Sequence, residues 1–250
     1  MPFTMVGFAQ SQDTANALTA VNALADQHVR VSGADIIVPS LNQLLGAYAG
    51  GVTITRAQLR SPSLRRVVNV EIAPVNIGTL APNNPPALWM RPQAPIALTV
   101  NEALNMFVAE NVVGAEQEDG VVWLADAPVA PVGGEMFVVR VTGATTLTAN
   151  AWTNGSLTFD QTLPAGSYNI VGARMESTNI IAFRFVPVGG TWRPGGLGTT
   201  TAARLEPPGQ RSGGWGVWAT FAHLTPPTVD YLASAADAAE SGELDLVKVA

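Results

Sequence analysis

The sequence predicts an all-β protein whose strands fall into two halves, and three observations predict it. Gly (24) and Pro (18) are frequent throughout, which suits many turns between short strands better than long helices. Short runs alternate apolar with polar residues, as half-buried strands do. A Pro- and Gly-rich stretch at 125–135 (ADAPVAPVGGE) separates roughly seven strand candidates on each side.

The elements are read in chain order. Residues 1–27 form an N-terminal arm. Within it, residues 13–27 read as a helix capped by Asp13 or Thr14, with Leu18, Val21, Leu24 and Ala25 on one stripe. A first β-sandwich covers 28–128. In it, residues 39–48 read as a second helix, with Pro39 in its first turn and Leu41, Leu44, Leu45 and Tyr48 sharing a face. Strands follow at 52–59 and 67–72, around an Arg-rich loop at 60–66. Residues 73–95 hold six prolines and are expected to lie extended along a surface, anchored by Trp89 and Met90. Further strands are expected near 96–100, 104–109 and 120–125.

A second sandwich covers 135–232. Its strands are read at 136–141 and 145–153, followed by a type I′ hairpin at Asn154-Gly155, where both central positions need positive φ. Residues 168–175 and 180–186 read as a strand pair, 189–214 as loop, and 215–224 and 229–232 as the last strands. Residues 233–250 form a C-terminal arm.

Composition narrows the function. Charged residues are 13% of the chain, about half the usual share. A surface so poor in charge is either neutral polar or covered by other subunits, whose interface centres are themselves depleted in charge. The chain has twelve arginines and a single lysine, Lys248, at a net charge of −6. Arg suits planar, partly buried ion pairs, and a GC-rich genome would give the same bias. An acidic chain with scattered Arg lacks the basic stripe that nucleic acid requires, so no direct nucleic-acid binding is expected. There is no cysteine, which excludes disulfides, thiolate catalysis and Cys-ligated metal. The first residues lack the basic and apolar regions of a secretory signal, so synthesis in a cytoplasm is expected.

The motifs that carry chemistry are sparse. His28 and His223 lie in different halves with no metal-ligand spacing. Glu116, Glu118 and Asp119 read as a solvated turn before Gly120, and nothing marks Glu102 with Glu110 as a catalytic pair. The glycines at 195, 196 and 198 lack the strand-to-helix setting of a phosphate loop. No catalytic, cofactor-binding or metal residue is assigned and no cofactor is expected, so a non-enzymatic role follows. Trp123, Trp152, Trp215 and Trp218 are expected to fill cores or interfaces. The rival expectation is a carbohydrate-binding or receptor-binding β-sandwich, with a row of exposed rings on one sheet face.

The order of short strands, the segment 39–48 beside a strand, the long Pro-rich loops and the two β-rich halves resemble the jelly-roll capsid proteins of icosahedral viruses. Two consecutive rolls in this length are most similar to the compact double jelly-roll major capsid proteins of tailless, membrane-containing bacteriophages. The resemblance is architectural and covers about residues 28–232, with Trp192-Arg193-Pro194-Gly195 similar in kind to phage structural proteins. It implies two jelly rolls, with one elaborated roll as the alternative. It also implies a homotrimer tiling an icosahedral shell in the virion, beside vertex proteins and over an underlying membrane. On this reading the loops 73–95 and 189–214 and the terminal segments are inter-subunit contacts, with Trp89, Met90, Arg91, Trp192 and Arg193 as the candidate residues.

Overall fold

The computed structural model describes residues 3–13, 15–65, 70–72, 75–76, 89–201 and 209–249. The chain divides into two compact units. One is Val6–Pro128, and the other joins Met1–Met5 to Val129–Ala250. They are called here the first and second rolls.

The first roll and its lead-in contain β1 (Phe3–Gln12), β2 (Thr19–Ala20), β3 (Val31–Ser32), β4 (Asp35–Ile37), β5 (Gln43–Gly51) and β6 (Ile54–Arg60). A single helical turn, α1 (Pro62–Arg65), precedes β7 (Val70–Ile72), β8 (Val75–Asn76), β9 (Trp89–Met90), β10 (Ile96–Ala97), β11 (Ala103–Glu110) and β12 (Glu116–Ala125). One sheet runs β1-β12-β5, with β8, β9 and β10 all pairing the far edge of β5. The other runs β3-β4-β11-β6-β7, with β2 also on β11. Grouped into eight positions along the chain, the sheets read first-eighth-third-sixth and second-seventh-fourth-fifth. That interleaving of two Greek keys is the jelly roll.

The second roll repeats it. Its strands are β13 (Met136–Gly143), β14 (Trp152–Gly155), β15 (Leu157–Phe159), β16 (Ser167–Ser177), β17 (Ile180–Val186), β18 (Gly195–Leu197), β19 (Thr199–Thr200), β20 (Ala219–Ala222), β21 (Thr228–Ala233) and β22 (Glu240–Lys248). One sheet contains β13-β22-β16-β20, with β15 added beside β13 and β19 beside β16. The other is β14-β21-β17-β18. Setting β15 and β19 aside, the order matches the first roll position by position. The protein is therefore an all-β double jelly roll.

Neither expected helix forms: 13–27 is mostly irregular chain with the two-residue strand β2, and 39–48 runs into the strand β5. Within 13–27, the Val21 amide donates to the Met106 carbonyl (2.9 Å) and the Leu24 amide to Gly7 (2.9 Å). The Gln10 side chain accepts from the Asn22 amide and donates to the Ala20 carbonyl. These backbone groups are satisfied by neighbouring strands rather than four residues back. The helix preference of Ala and Leu is only tenths of a kcal/mol per residue, and burying Val21 and Leu24 outweighs it. Residues 43–51 form β5, in which every residue from Leu44 to Gly51 is buried. A strand covered on both faces loses its period of two, so its leucines imitate a helical stripe. Gly46 has a specific task there: the Met90 thioether occupies the space a side chain would need.

Three other expectations change. Asn154 and Gly155 lie inside β14, opposite Asp230 and Val229, and make no hairpin. The side-chain Nδ2 of Asn154 donates to Thr228 Oγ1 (3.0 Å) and Asp230 Oδ1 (2.8 Å), while Thr145 and Tyr231 press on Gly155 too closely for a side chain. The positive φ of this region belongs to Asn150 (57°). The strands β16 and β17 are consecutive but belong to opposite sheets, and the supposed loop 189–214 contains β18 and β19. Finally, the ends are not arms. Residues 3–10 are buried in β1, and β22 is paired on both sides, by β13 and β16. The last strand of a jelly roll becomes central because it lies between the first and third positions, while β1 closes the edge of its sheet.

β22 also carries the densest ion-pair network. The Arg211 guanidinium grips Asp245 with two bonds (2.8 and 2.6 Å) and reaches Glu243 (3.1 Å), while the Ser212 amide donates to the same Asp245 carboxylate. Asp245 is almost fully buried, so this fork is what makes its charge tolerable on a central strand.

The tight packing gives a first prediction. At Gly195 a methyl group would collide with the Phe183 carbonyl oxygen and lie 2.6 Å from Arg184 Cα, both backbone atoms that cannot rotate away. Gly195→Ala is expected to lower stability by about 1–3 kcal/mol in chemical denaturation. Gly133→Ala, where nothing lies within 4 Å, should stay within about 0.5 kcal/mol of the parent.

Candidate assembly surfaces

Among the described residues no group of three or more His, Cys, Asp or Glu side chains is arranged to hold a metal ion. His28 is exposed. His223 is half-buried, and its Nδ1 accepts from the Gly166 amide at 3.4 Å. Glu102 and Glu110 flank and end β11, eight residues apart on an extended strand, which is roughly 25 Å. Paired glycosidase carboxylates sit within about 10 Å, so these two do not form such a pair. Glu102 instead accepts from the amide and hydroxyl of Ser63.

The Glu116–Asp119 region is a correction. It opens β12 rather than a solvated turn, and Glu118 and Asp119 are both 0% exposed. Glu118 accepts from Gln10 Nε2 at 2.7 Å. Neither oxygen of Asp119 has a hydrogen-bond partner. Burial first, and the neighbouring charge of Glu118 second, push the Asp119 carboxyl up to about 8. The Tyr48 hydroxyl, on the paired strand β5, is raised by burial and by Asp119 in turn. The strand context explains the misreading, because a Glu-Gln-Glu-Asp-Gly string looks like a turn until the five apolar residues after it fix its register.

The tryptophans are buried or half-buried. Trp123 is 0% exposed, Trp215 and Trp218 are 4% exposed, and Trp89, Trp152 and Trp192 are half-buried. A sugar platform needs exposed rings, and none of the six tryptophans is exposed. The Trp152 ring is covered by the Arg184 guanidinium, 4.1 Å from its centroid.

The five candidate contact residues separate into two groups. Trp89 and Met90 form β9 opposite Ala47 and Gly46, half-buried, and the exposed Arg91 follows, its amide donating to the Leu45 carbonyl. Residues 77–88, part of the stretch expected to be extended, lie outside the described residues. Trp192 is half-buried. Arg193 is only 7% exposed, and its guanidinium donates to the Gly190 carbonyl at 2.8 Å. Its guanidinium is thus engaged within its own roll.

Exposed apolar side chains lie elsewhere. Val113 (84%) lies between β11 and β12, Val188 (77%) between β17 and β18, and Leu224 (79%) between β20 and β21. Leu224 rims a cleft of about 310 Å³ lined by Phe159, Asp160, Leu163 and His223. Val138 (54%) on β13 and Val249 (50%), just after β22, are exposed as well. Sequence inspection missed all of these, since an isolated valine carries no sign of its exposure. No family model, no curated protein and no solved structure matches this chain.

Proposed function

We propose that this protein is a self-assembling structural subunit, a viral major capsid protein that builds trimers and then an icosahedral shell. The observation that carries the reading is the double jelly roll itself: two successive rolls of identical strand order within 250 residues. Such a body offers two stiff sandwiches whose loops emerge at the sheet ends, where closure entropy grows slowly with loop length and neighbours can order them. The low charge share (13%) fits a surface covered by other copies. Val113, Val188 and Leu224 at loop tips supply apolar groups that gain by burial against another subunit. The proposed partners are further copies of the chain, vertex proteins and an underlying membrane, with the virion as the place of action.

The test is the size of the purified chain over a concentration series, by size-exclusion chromatography with negative-stain microscopy. Trimers or closed particles are expected. A monodisperse monomer at the highest concentration reached would reject the reading, and saccharide binding by that monomer would put the carbohydrate module in its place.

A further inference from the structure

The strand β13 leaves part of its main chain without a neighbour. On one side it pairs with β22 from Met136 to Gly143, without a bulge. On the other it meets β15 only at Val141, Thr142 and Gly143, after which the Asp160 amide donates to the Arg140 carbonyl (3.2 Å). Alternate residues of a strand turn their N–H and C=O groups to the same side, so Met136 and Val138 turn theirs where Arg140 does. Among the described residues nothing pairs with those groups. Their side chains are uncovered too, Val138 at 54% and Met136 at 36%.

Sheets blunt such an edge with a lysine, a proline, a bulge or a covering loop. The run Met136-Phe137-Val138-Val139 has no lysine, no proline and no bulge, and it is rich in strand-forming residues. It is also self-complementary. Laid antiparallel to its own copy with Phe137 on a two-fold axis, Met136 falls opposite Val138 of the copy, and Val138 opposite Met136. Every free group of the edge then finds a partner. Phe137 meets its equivalent at a position without cross-strand bonds, where opposite residues approach closest. Its ring already stands edge-on to Tyr168 (5.8 Å). Glu135 falls opposite Val139, so no like charges face one another.

We propose that β13 pairs edge to edge with β13 of a second copy in this register, joining two sheets into one. The inference rests on the self-assembly reading and adds where one contact lies. A two-fold contact cannot build the proposed trimer, so it links neighbouring building blocks. A contact of so few residues falls short of the roughly 1,000 Å² of a lasting interface, so it parts on dilution and holds where many act together in a shell.

The chain has no cysteine, so single ones report the register. Met136→Cys and Val138→Cys are made in separate full-length chains, concentrated alone and mixed, oxidised and run on a denaturing gel, with particles followed by microscopy. In the proposed register a mixed pair stands about 5.5 Å apart at Cα, within disulfide reach, whereas like pairs stand roughly 8 Å apart, beyond it. The expected result is disulfide dimer in the mixture in several-fold excess over either variant alone. Particles with equal dimer in all three samples, or with an excess in one variant alone, would overturn the pairing and leave the shell reading standing. Excess mixed dimer without particles would support the pairing and reject the shell, and neither product would reject both. Val138→Pro removes the free N–H and spares the bonds to β22, a place where a sheet tolerates proline. It should keep the circular dichroism of the parent and lose particles, and particles formed as by the parent would also overturn the proposal. If proline unfolds the strand, the cysteine pair, at exposed positions, decides alone.

Discussion

Phe3→Ala is expected to destabilise the second roll by about 3–5 kcal/mol, the range for truncating a fully buried aromatic ring. The size follows from where the ring sits. Phe3 touches Trp215 and Trp218, and those two rings pack on one another at 6.2 Å. Trp218 in turn meets Phe183 and Phe185 (6.1 Å each) on β17. Removing the ring leaves a void whose walls are large, rigid side chains already engaged on their other faces, so the site cannot collapse to fill it. The backbone bonds of Thr4 and Met5 would then hold a segment without its anchor. The measurement is hydrogen exchange resolved by peptide, with urea denaturation alongside. Amides of β17 and β18 should lose protection while those of β5 and β11 keep theirs. Equal loss in both rolls, or a change under 1 kcal/mol, would show that the segment is not integral to the second roll. Phe3→Leu, which keeps most of the apolar volume, should recover more than half of the loss.

How much of this was legible depends on which faces a strand buries. Strands with one wet face could be read: β13 alternates exposed Met136, Val138 and Arg140 with buried Val139 and Val141, and its bounds were found nearly in place. β5 could not, because pairing on both edges and burial on both faces erase the alternation and leave a Leu spacing that suits a helix equally well. β1 was missed for a different reason. Its apolar run from Phe3 to Ala9 is plain in the sequence, but a chain terminus is read as an appendage unless the topology that closes on it is known. β22 failed in the same way. The division of the strand candidates into two groups came from composition alone, whereas the interleaved pairing that makes each group a jelly roll depends on contacts more than a hundred residues apart, such as Gln10 with Glu118. Asp119 had no signal at all. Local sequence does not show whether a carboxylate next to a glycine faces water or a sheet interior.

That carboxylate makes stability depend on pH, in the direction opposite to that of a salt-bridged acid. In the unfolded chain Asp119 releases its proton near 3.8, while in the fold burial holds the proton until about 8. Between those values the native state binds a proton that the unfolded state has lost, so stability falls as pH rises across the window. Below it the penalty is absent, and above it the penalty is complete and constant. A displacement of about four pH units corresponds to a loss on the order of 5 kcal/mol by pH 8, a large part of the margin of an ordinary domain. Glu240, raised by its own burial, pulls the second roll in the same direction. Asp119→Asn separates the two, since it keeps the shape of the protonated acid and cannot ionise. The variant should match the parent near pH 4 and exceed it increasingly toward pH 8, with protection gained in β5 and β12, where Tyr48 and Asp119 crowd the bare backbone of Gly50. A parent denaturation midpoint that stays level from pH 5 to pH 8, or an asparagine variant that is less stable at both ends, would mean the acid is solvated after all. If instead the slope is found and the variant removes it, the shell this chain is proposed to build would loosen as pH rises toward 8 for a reason located in one side chain.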